Sequence, residues 1–263
     1  MRAEDIATAF HRDGFVLVPG VFAPAELQDL AEHVFHVRQP SPSELRRYDA
    51  NPYTLQGKGS LDELTPEELR RSERMLRLHL FDPRTRDLML DPRIFELVRP
   101  LWPGEPLAVH NLYYPKPPGC RGMALHTDVG YLPVDPPEFA GVTIAVDDAD
   151  EENGALAVVR GSHLFPCEAR RTIGTEDFLF PEEFEQPEGT ELVLVPMRAG
   201  DVLLFHGSTL HGSQPNRSAT RWRRAFVAHY ISAAVQSVHE HFHPAFRSTG
   251  EEIPAPGYAA VGG

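Results

Sequence analysis

A histidine and an aspartate two positions apart, in His126-Thr127-Asp128, and a second histidine some eighty-five positions on, in His211-Gly212-Ser213, together supply two imidazoles and a carboxylate. In an extended strand alternate side chains share a face, so His126 and Asp128 can grip one ion from the same side while a third ligand arrives from a distant strand. Three such ligands on one face of an octahedral ion leave the other positions open. That arrangement suits oxygen activation at non-haem Fe(II) better than a closed structural site. An H-x-D triplet is short and the chain holds 13 histidines, so the context has to carry the reading. His206 competes for the third position, but it follows the apolar run Val202-Leu203-Leu204-Phe205 and reads as a core or supporting histidine. His239, His241 and His243 alternate near the C-terminus and read as incidental.

The elements that must position these groups fall into two parts. The first ninety-odd residues, extended to 1–106, read as a mainly helical cap with one early strand, Phe15 to Val18. Leu27, Leu30, Ala31, Val34 and Phe35 recur at helical spacing after Pro24. Thr65-Pro66-Glu67-Glu68 has the form of a capping box, and Asp91-Pro92 repeats a helix start before Ile94, Phe95, Leu97 and Val98. From about residue 107 short apolar runs alternate with Pro, Gly and Asp clusters, the pattern of an all-β jelly roll over 107–232. Strands are expected at 107–114, 123–128, 141–147, 155–159, 191–195, 202–206, 209–213 and 222–232. The stretch from Phe165 to Gly189 has no clean period and reads as a long loop, a lid or a disordered segment. The Gly/Pro/Ala-rich end, 245–263, reads as a flexible tail. No linker divides the chain, so 263 residues are taken as a single domain.

Composition narrows the partners. A hydrophobic fraction of 41% fits a globular core, and a formal net charge of −13 repels phosphate backbones and anionic membranes, which argues against nucleic acid and membrane partners. Two cysteines, Cys120 and Cys167, make no disulfide framework and read as reduced thiols. The N-terminus leads into an amphipathic stretch, and no window approaches the length of a membrane span, so a cytoplasmic protein is expected. Oligomeric state is not readable.

Six ordered blocks then carry a resemblance. Asp13-Gly14-Phe15-Val16-Leu17-Val18-Pro19-Gly20, His126-Thr127-Asp128, Glu152-Asn153-Gly154-Ala155-Leu156, Gly161-Ser162-His163, Ala199-Gly200-Asp201-Val202-Leu203-Leu204-Phe205-His206 and His211-Gly212-Ser213-x-x-Asn216 resemble the phytanoyl-CoA dioxygenase family, from about residue 5 to about 232. The resemblance implies a mainly β, double-stranded β-helix fold buttressed by N-terminal helices. It also implies an Fe(II)- and 2-oxoglutarate-dependent dioxygenase that consumes O2, releases succinate and CO2, and hydroxylates an unactivated C–H bond of a small molecule. The family pattern puts the metal on His126, Asp128 and His211. In related iron halogenases a small residue replaces the carboxylate, so Asp128 points to hydroxylation.

The distal carboxylate of 2-oxoglutarate calls for a planar, bidentate arginine. Arg221-Trp222-Arg223-Arg224-Ala225-Phe226-Val227-Ala228-His229-Tyr230 resembles the family's arginine-bearing strand. Alternation sends Arg223 and Arg224 to opposite faces. Matching from the C-terminal side favours Arg223, while one extra residue after Asn216 keeps Arg224 open. Ser213 shares the face of His211 and offers that carboxylate a second bond. Thr143 stands where many members carry a tryptophan beside the cosubstrate. His110 matches a family histidine and, with Tyr114 on the same face, is expected near the metal-bound end of 2-oxoglutarate. Asn153-Gly154 and Gly161-Ser162-His163 read as turns, with Gly154 at positive φ. Tyr131, Leu132 and the 165–189 segment, with Phe178, Phe180 and Phe184, are candidates for the mouth of the substrate site.

The metal motifs do not separate hydroxylation from desaturation, ring formation, epimerisation or oxidative group removal. A non-catalytic jelly-roll binding module is the rival from another class, and a dioxygenase independent of 2-oxoglutarate is a third. The substrate does not follow from the family's name, because small antibiotics, amino acids and osmolytes are also family substrates.

Overall fold

The computed structural model describes residues 1–38, 59–71, 74–166, 169–174 and 176–257. The strands that build the site are β1 (Phe15–Val18), β2 (Leu107–Tyr114), β3 (Met123–His126), β4 (Phe139–Ala145), β5 (Leu156–Arg160), β6 (Glu191–Val195), β7 (Val202–His206), β8 (His211–Ser213) and β9 (Ala225–Ile231). They form two antiparallel sheets. The major sheet runs β1-β7-β4-β9-β2 and continues through Ala245–Phe246 and Glu252–Ile253; the minor sheet runs β6-β5-β8-β3. This is the mainly β, cupin-like jelly roll with N-terminal helices that the sequence calls for.

The two faces of the major sheet follow the period of two in its strands. Val142 and Ile144 of β4, Leu204 of β7 and Phe226, Ala228 and Tyr230 of β9 point outward into one core with Phe10, Leu27, Leu30, Ile94 and Phe95 of the helices. Each such large apolar side chain, once buried, contributes about 1.5–3 kcal/mol, so the helical layer is held by this face. Local signals fix where the helices begin. Thr65 and Glu68 bond each other's backbone N–H at the start of Pro66–Arg71. The side chains of Asp82 and Asp91 accept from the first turns of Pro83–Met89 and Pro92–Val98. The inner face, carrying Thr143, Phe205, Val227 and His229, looks toward the minor sheet across a cavity.

Several expectations need correction. The 123–128 strand stops at His126, and Asp128 opens a 3-10 turn, Asp128–Gly130, closed by the Tyr131 N–H donating to the Asp128 carbonyl at 3.0 Å. The expected 222–232 strand starts only at Ala225, because the Arg223 N–H bonds the Lys116 carbonyl and the Arg224 N–H bonds an Asp147 carboxylate oxygen. Within 165–189 the described residues include a hairpin, Arg170–Thr172 with Glu182–Phe184, tied down by Phe184 against Val159 and Leu210. Nor is 245–257 a loose tail: Phe246 pairs with Ala108, and Ala245 and Phe246 are buried. Two apolar anchors outweigh the surrounding glycine and proline there. Residues 258–263 and Cys167 lie outside the described residues.

Candidate metal and cosubstrate site

β8 and β3 are paired so that His211 stands directly opposite His126. Each ring is fixed by its own strand: His126 Nδ1 lies 2.8 Å from the Ala124 carbonyl and His211 Nδ1 3.0 Å from the Thr209 carbonyl. A carbonyl only accepts, so each Nδ1 carries the hydrogen and each Nε2 keeps its lone pair for a ligand. Phe205 packs at a tilt of 42° against His211 with ring centroids 4.3 Å apart, in space that Gly141 leaves open.

Both lone pairs face one carboxylate oxygen. Asp128 Oδ1 is 3.8 Å from His126 Nε2 and 3.7 Å from His211 Nε2, too long for hydrogen bonds. Two ligands bound to one ion at about 2.0–2.2 Å stand roughly 3–3.5 Å apart, a spacing that these atoms would reach with a small inward movement. Among the described residues these three are the group of His, Cys, Asp or Glu side chains whose donor atoms converge, all within 4.8 Å of one another. Burial pushes His126 down to about 3, with His211 adding to the effect, so its nitrogen is available at neutral pH. Burial alone would raise Asp128, but His211, His229 and His126 outweigh it and hold the carboxyl below its ordinary range.

The cavity floor is basic. Arg223, 5% exposed, enters it with Tyr114, Thr143 and Ser213 among the lining residues, and its Nε donates to the Gly154 carbonyl at 2.9 Å. Burial lowers the guanidinium only to about 10, which leaves it charged. Arg224 goes to the opposite side of the sheet, where it pairs with Asp147 at 2.7 Å and bonds Gln28. Gly154 adopts the expected positive φ, +82°, and a side chain there would collide with the Gln214 carbonyl.

Other candidates distribute as follows. His110 is not among the cavity-lining residues; it stacks on His229 at 5.1 Å and touches Phe242. Its neighbour in register, His229, takes the place nearer Asp128, with Nε2 3.5 Å from Asp128 Oδ2. His206 turns away from the cavity to Phe10 and His163. His239 and His241 contact each other, and His243 accepts from the Ala255 N–H. Cys120 is buried and lines the cavity. Tyr131 lies 5.8 Å from the His126 ring and stacks on Phe180, while Leu179 of the same segment reaches the cavity. Leu132 joins a separate apolar cluster, Phe178 pairs its backbone with Gly122, and Phe184 anchors the hairpin. Two residues to which the sequence reading assigns no role, Lys116 and His229, belong to the cavity wall. Their only signal was period-two spacing from Tyr114 in the first case and from Val227 in the second.

A profile of the family described as phytanoyl-CoA dioxygenase (PhyH) matches residues 10–225. The chain belongs to that family. Its members are iron- and 2-oxoglutarate-dependent oxygenases, and this protein is an enzyme of that class using Fe(II), 2-oxoglutarate and O2. A phytanoyl-CoA dioxygenase domain-containing protein 1 homolog of Caenorhabditis elegans is 29% identical over 262 residues, covering 86% of this chain and 90% of the relative. Among solved structures, the epimerase SnoN in complex with Fe3+, alpha ketoglutarate and nogalamycin RO is 22% identical with a TM-score of 0.61, covering 89% of this chain and 85% of that one. EctD from S. alaskensis, with 2-oxoglutarate and 5-hydroxyectoine, is 19% identical with a TM-score of 0.60, covering 89% and 77%. At these identities the two structures show a shared fold. No helix among the described residues is long and apolar enough to cross a membrane.

Proposed function

We propose that this oxygenase hydroxylates an unactivated C–H bond of a small-molecule metabolite, with His126, Asp128 and His211 as the iron ligands and Arg223 and Ser213 receiving the distal carboxylate of 2-oxoglutarate. The observation that carries the reading is the pair of Nε2 lone pairs turned by backbone carbonyls onto one oxygen of Asp128, in a cavity whose floor is Arg223. Held by His126, Asp128 and His211 together with 2-oxoglutarate and O2, iron would supply the oxidising power for C–H cleavage, with succinate and CO2 as coproducts.

The chain's own residues bind, orient and exclude water. Arg223 offers its fork to the distal carboxylate, and Thr143, Leu112, Tyr114 and Val227 form walls that space the carbon chain from the metal group. Phe205 packs the His211 ring into one orientation. Tyr131 stacks on Phe180 beside His126, which supports a place for this pair at the mouth of the substrate site. The carboxylate at position 128 supports oxygen transfer over halogenation. The relation in fold to an epimerase supports a second reading, a different oxidative outcome on the same machinery.

The test is succinate release from 2-oxoglutarate by the purified chain with Fe(II) under air, screened against small amino acids, osmolytes, aromatic polyketides and simple oxyanions. Substrate-dependent succinate with a product 16 mass units heavier supports hydroxylation. Succinate with a product of unchanged or lower mass moves the protein to the second reading. Turnover that needs no 2-oxoglutarate contradicts both.

A further inference from the structure

Beside Arg223 the cavity holds a second basic side chain that sits deeper in the protein than a lysine ordinarily does. Lys116 follows the end of β2, and at 4% exposed its ammonium group is enclosed. Its Nζ donates to the Ser213 hydroxyl oxygen at 2.9 Å, to the Gly154 carbonyl at 3.4 Å and to the Gln214 carbonyl. The Gly154 carbonyl is the same one that accepts from Arg223 Nε. Among the described residues neither cation forms an ion pair with a carboxylate. Two buried positive groups facing only neutral acceptors are costly, and such groups persist where an anion completes the set.

The hydrogen-bond directions say how Lys116 acts. An ammonium has three donors and no acceptor, and the three acceptors named use all of them. Lys116 therefore has no donor left for a ligand. Ser213 Oγ, by contrast, accepts from Lys116, so its own hydrogen is directed elsewhere, and the cavity that Ser213 lines lies on that side.

The geometry points to Lys116 as a positioning residue of the cosubstrate slot, which aims the Ser213 hydroxyl at the distal carboxylate of 2-oxoglutarate and adds a second positive charge beside Arg223. The inference rests on the reading of Arg223 and Ser213 given above. Burial, and then Arg223, hold the Lys116 amine well below its ordinary range; an arriving carboxylate offsets both effects.

The discriminating probe is a pair of acids of equal length, 2-oxoglutarate and 2-oxopentanoate, which lacks the distal carboxylate. Their dissociation constants are measured by calorimetry on the full chain loaded with redox-silent Mn(II). Lys116→Met is expected to lower the preference for 2-oxoglutarate about 10-fold or more, in line with losing the aimed Ser213 bond to a charged group together with the nearby positive charge, while 2-oxopentanoate binding changes less than about 2-fold. Adding Ser213→Ala to Lys116→Met should lower the preference little further, because the two act as one unit. In turnover the KM for 2-oxoglutarate rises with kcat nearly unchanged. Should Lys116→Met not fold, Lys116→Gln, which keeps N–H donors and loses the charge, carries the test with a several-fold drop in preference. A preference equal to wild type, or a loss shared equally by both acids, overturns the inference and leaves Lys116 as a cross-link between loops. Wild-type protein that fails to prefer 2-oxoglutarate defeats the reading of Arg223 instead.

Discussion

Arg224 leaves the major sheet on its helical side and meets Asp147 and Gln28, whereas Arg223, one residue earlier, enters the cavity and finds a backbone carbonyl. Both are largely enclosed, and both are charged. The first has its counter-ion inside the protein and completes a structural joint between the sheet and the helix Pro24–His36. The second has none among the described residues, lies beside another buried cation and opens onto the converging side chains of His126, Asp128 and His211. The same contrast separates the histidines: those at 126 and 211 direct a lone pair at Asp128, while His206 is spent on packing against Phe10 and His163. A polar group completed within the fold holds the fold, and one left incomplete marks where a ligand belongs.

The sharpest way to break this contrast is to remove the carboxylate that both histidines face. Asp128→Ala should lower succinate release by more than the 10–100-fold typical of changes to outer-shell partners, with the melting temperature little altered; activity near wild type would remove Asp128 from the metal. The arginine pair comes next. Arg223→Met is expected to raise the KM for 2-oxoglutarate about 10–100-fold, the loss of a bidentate contact to a charged group, while Arg224→Met leaves that KM within about 2-fold and costs about 1.5–3 kcal/mol of stability in urea unfolding. The reverse assignment of effects would exchange the two roles.

A smaller effect is expected at His229, whose Nε2 is 3.5 Å from Asp128 Oδ2. His229→Phe keeps the ring volume and removes that partner, so Mn(II) affinity should fall about 10-fold, measured by calorimetry. Smallest is the acid response of the structural joint. Burial alone would raise the Asp147 carboxyl, but its bonds from Arg224 prevail and hold it below 3.8. A depressed carboxyl contributes its full stability above the unfolded value and loses it as pH falls through the folded value. Stability should therefore decline below about pH 4, and Arg224→Met should decline less steeply there; equal slopes would show that the pair does not set that limb.

How much of this was legible in the residues depends on whether a local rule or a tertiary contact decides each feature. The alternation of β2, β6 and β7, the capping box at Thr65 and the helix start at Asp91 are local, and their limits agree with the sequence reading. His126 and Asp128 do share a side, yet Asp128 reaches it from a 3-10 turn, with Thr127 still extended at φ −112°. Alternation also separates Arg223 from Arg224, but it is Asp147, 77 positions away, that decides which of them enters the cavity. Lys116 and His229 were out of reach because their partners, Ser213 and Asp128, lie about a hundred residues off in sequence. The stretch 245–257 misled through composition, since Phe246 finds its place only against β2.

The central claim, that residues 126, 128 and 211 hold iron beside a slot for 2-oxoglutarate, is tested most directly by an anaerobic titration of the chain with Fe(II) and then 2-oxoglutarate, followed in the visible. The wild-type chain should develop a weak charge-transfer band saturating at one equivalent of each, and His211→Ala should not. A band of equal strength in His211→Ala, or none in the wild-type chain, would contradict the account.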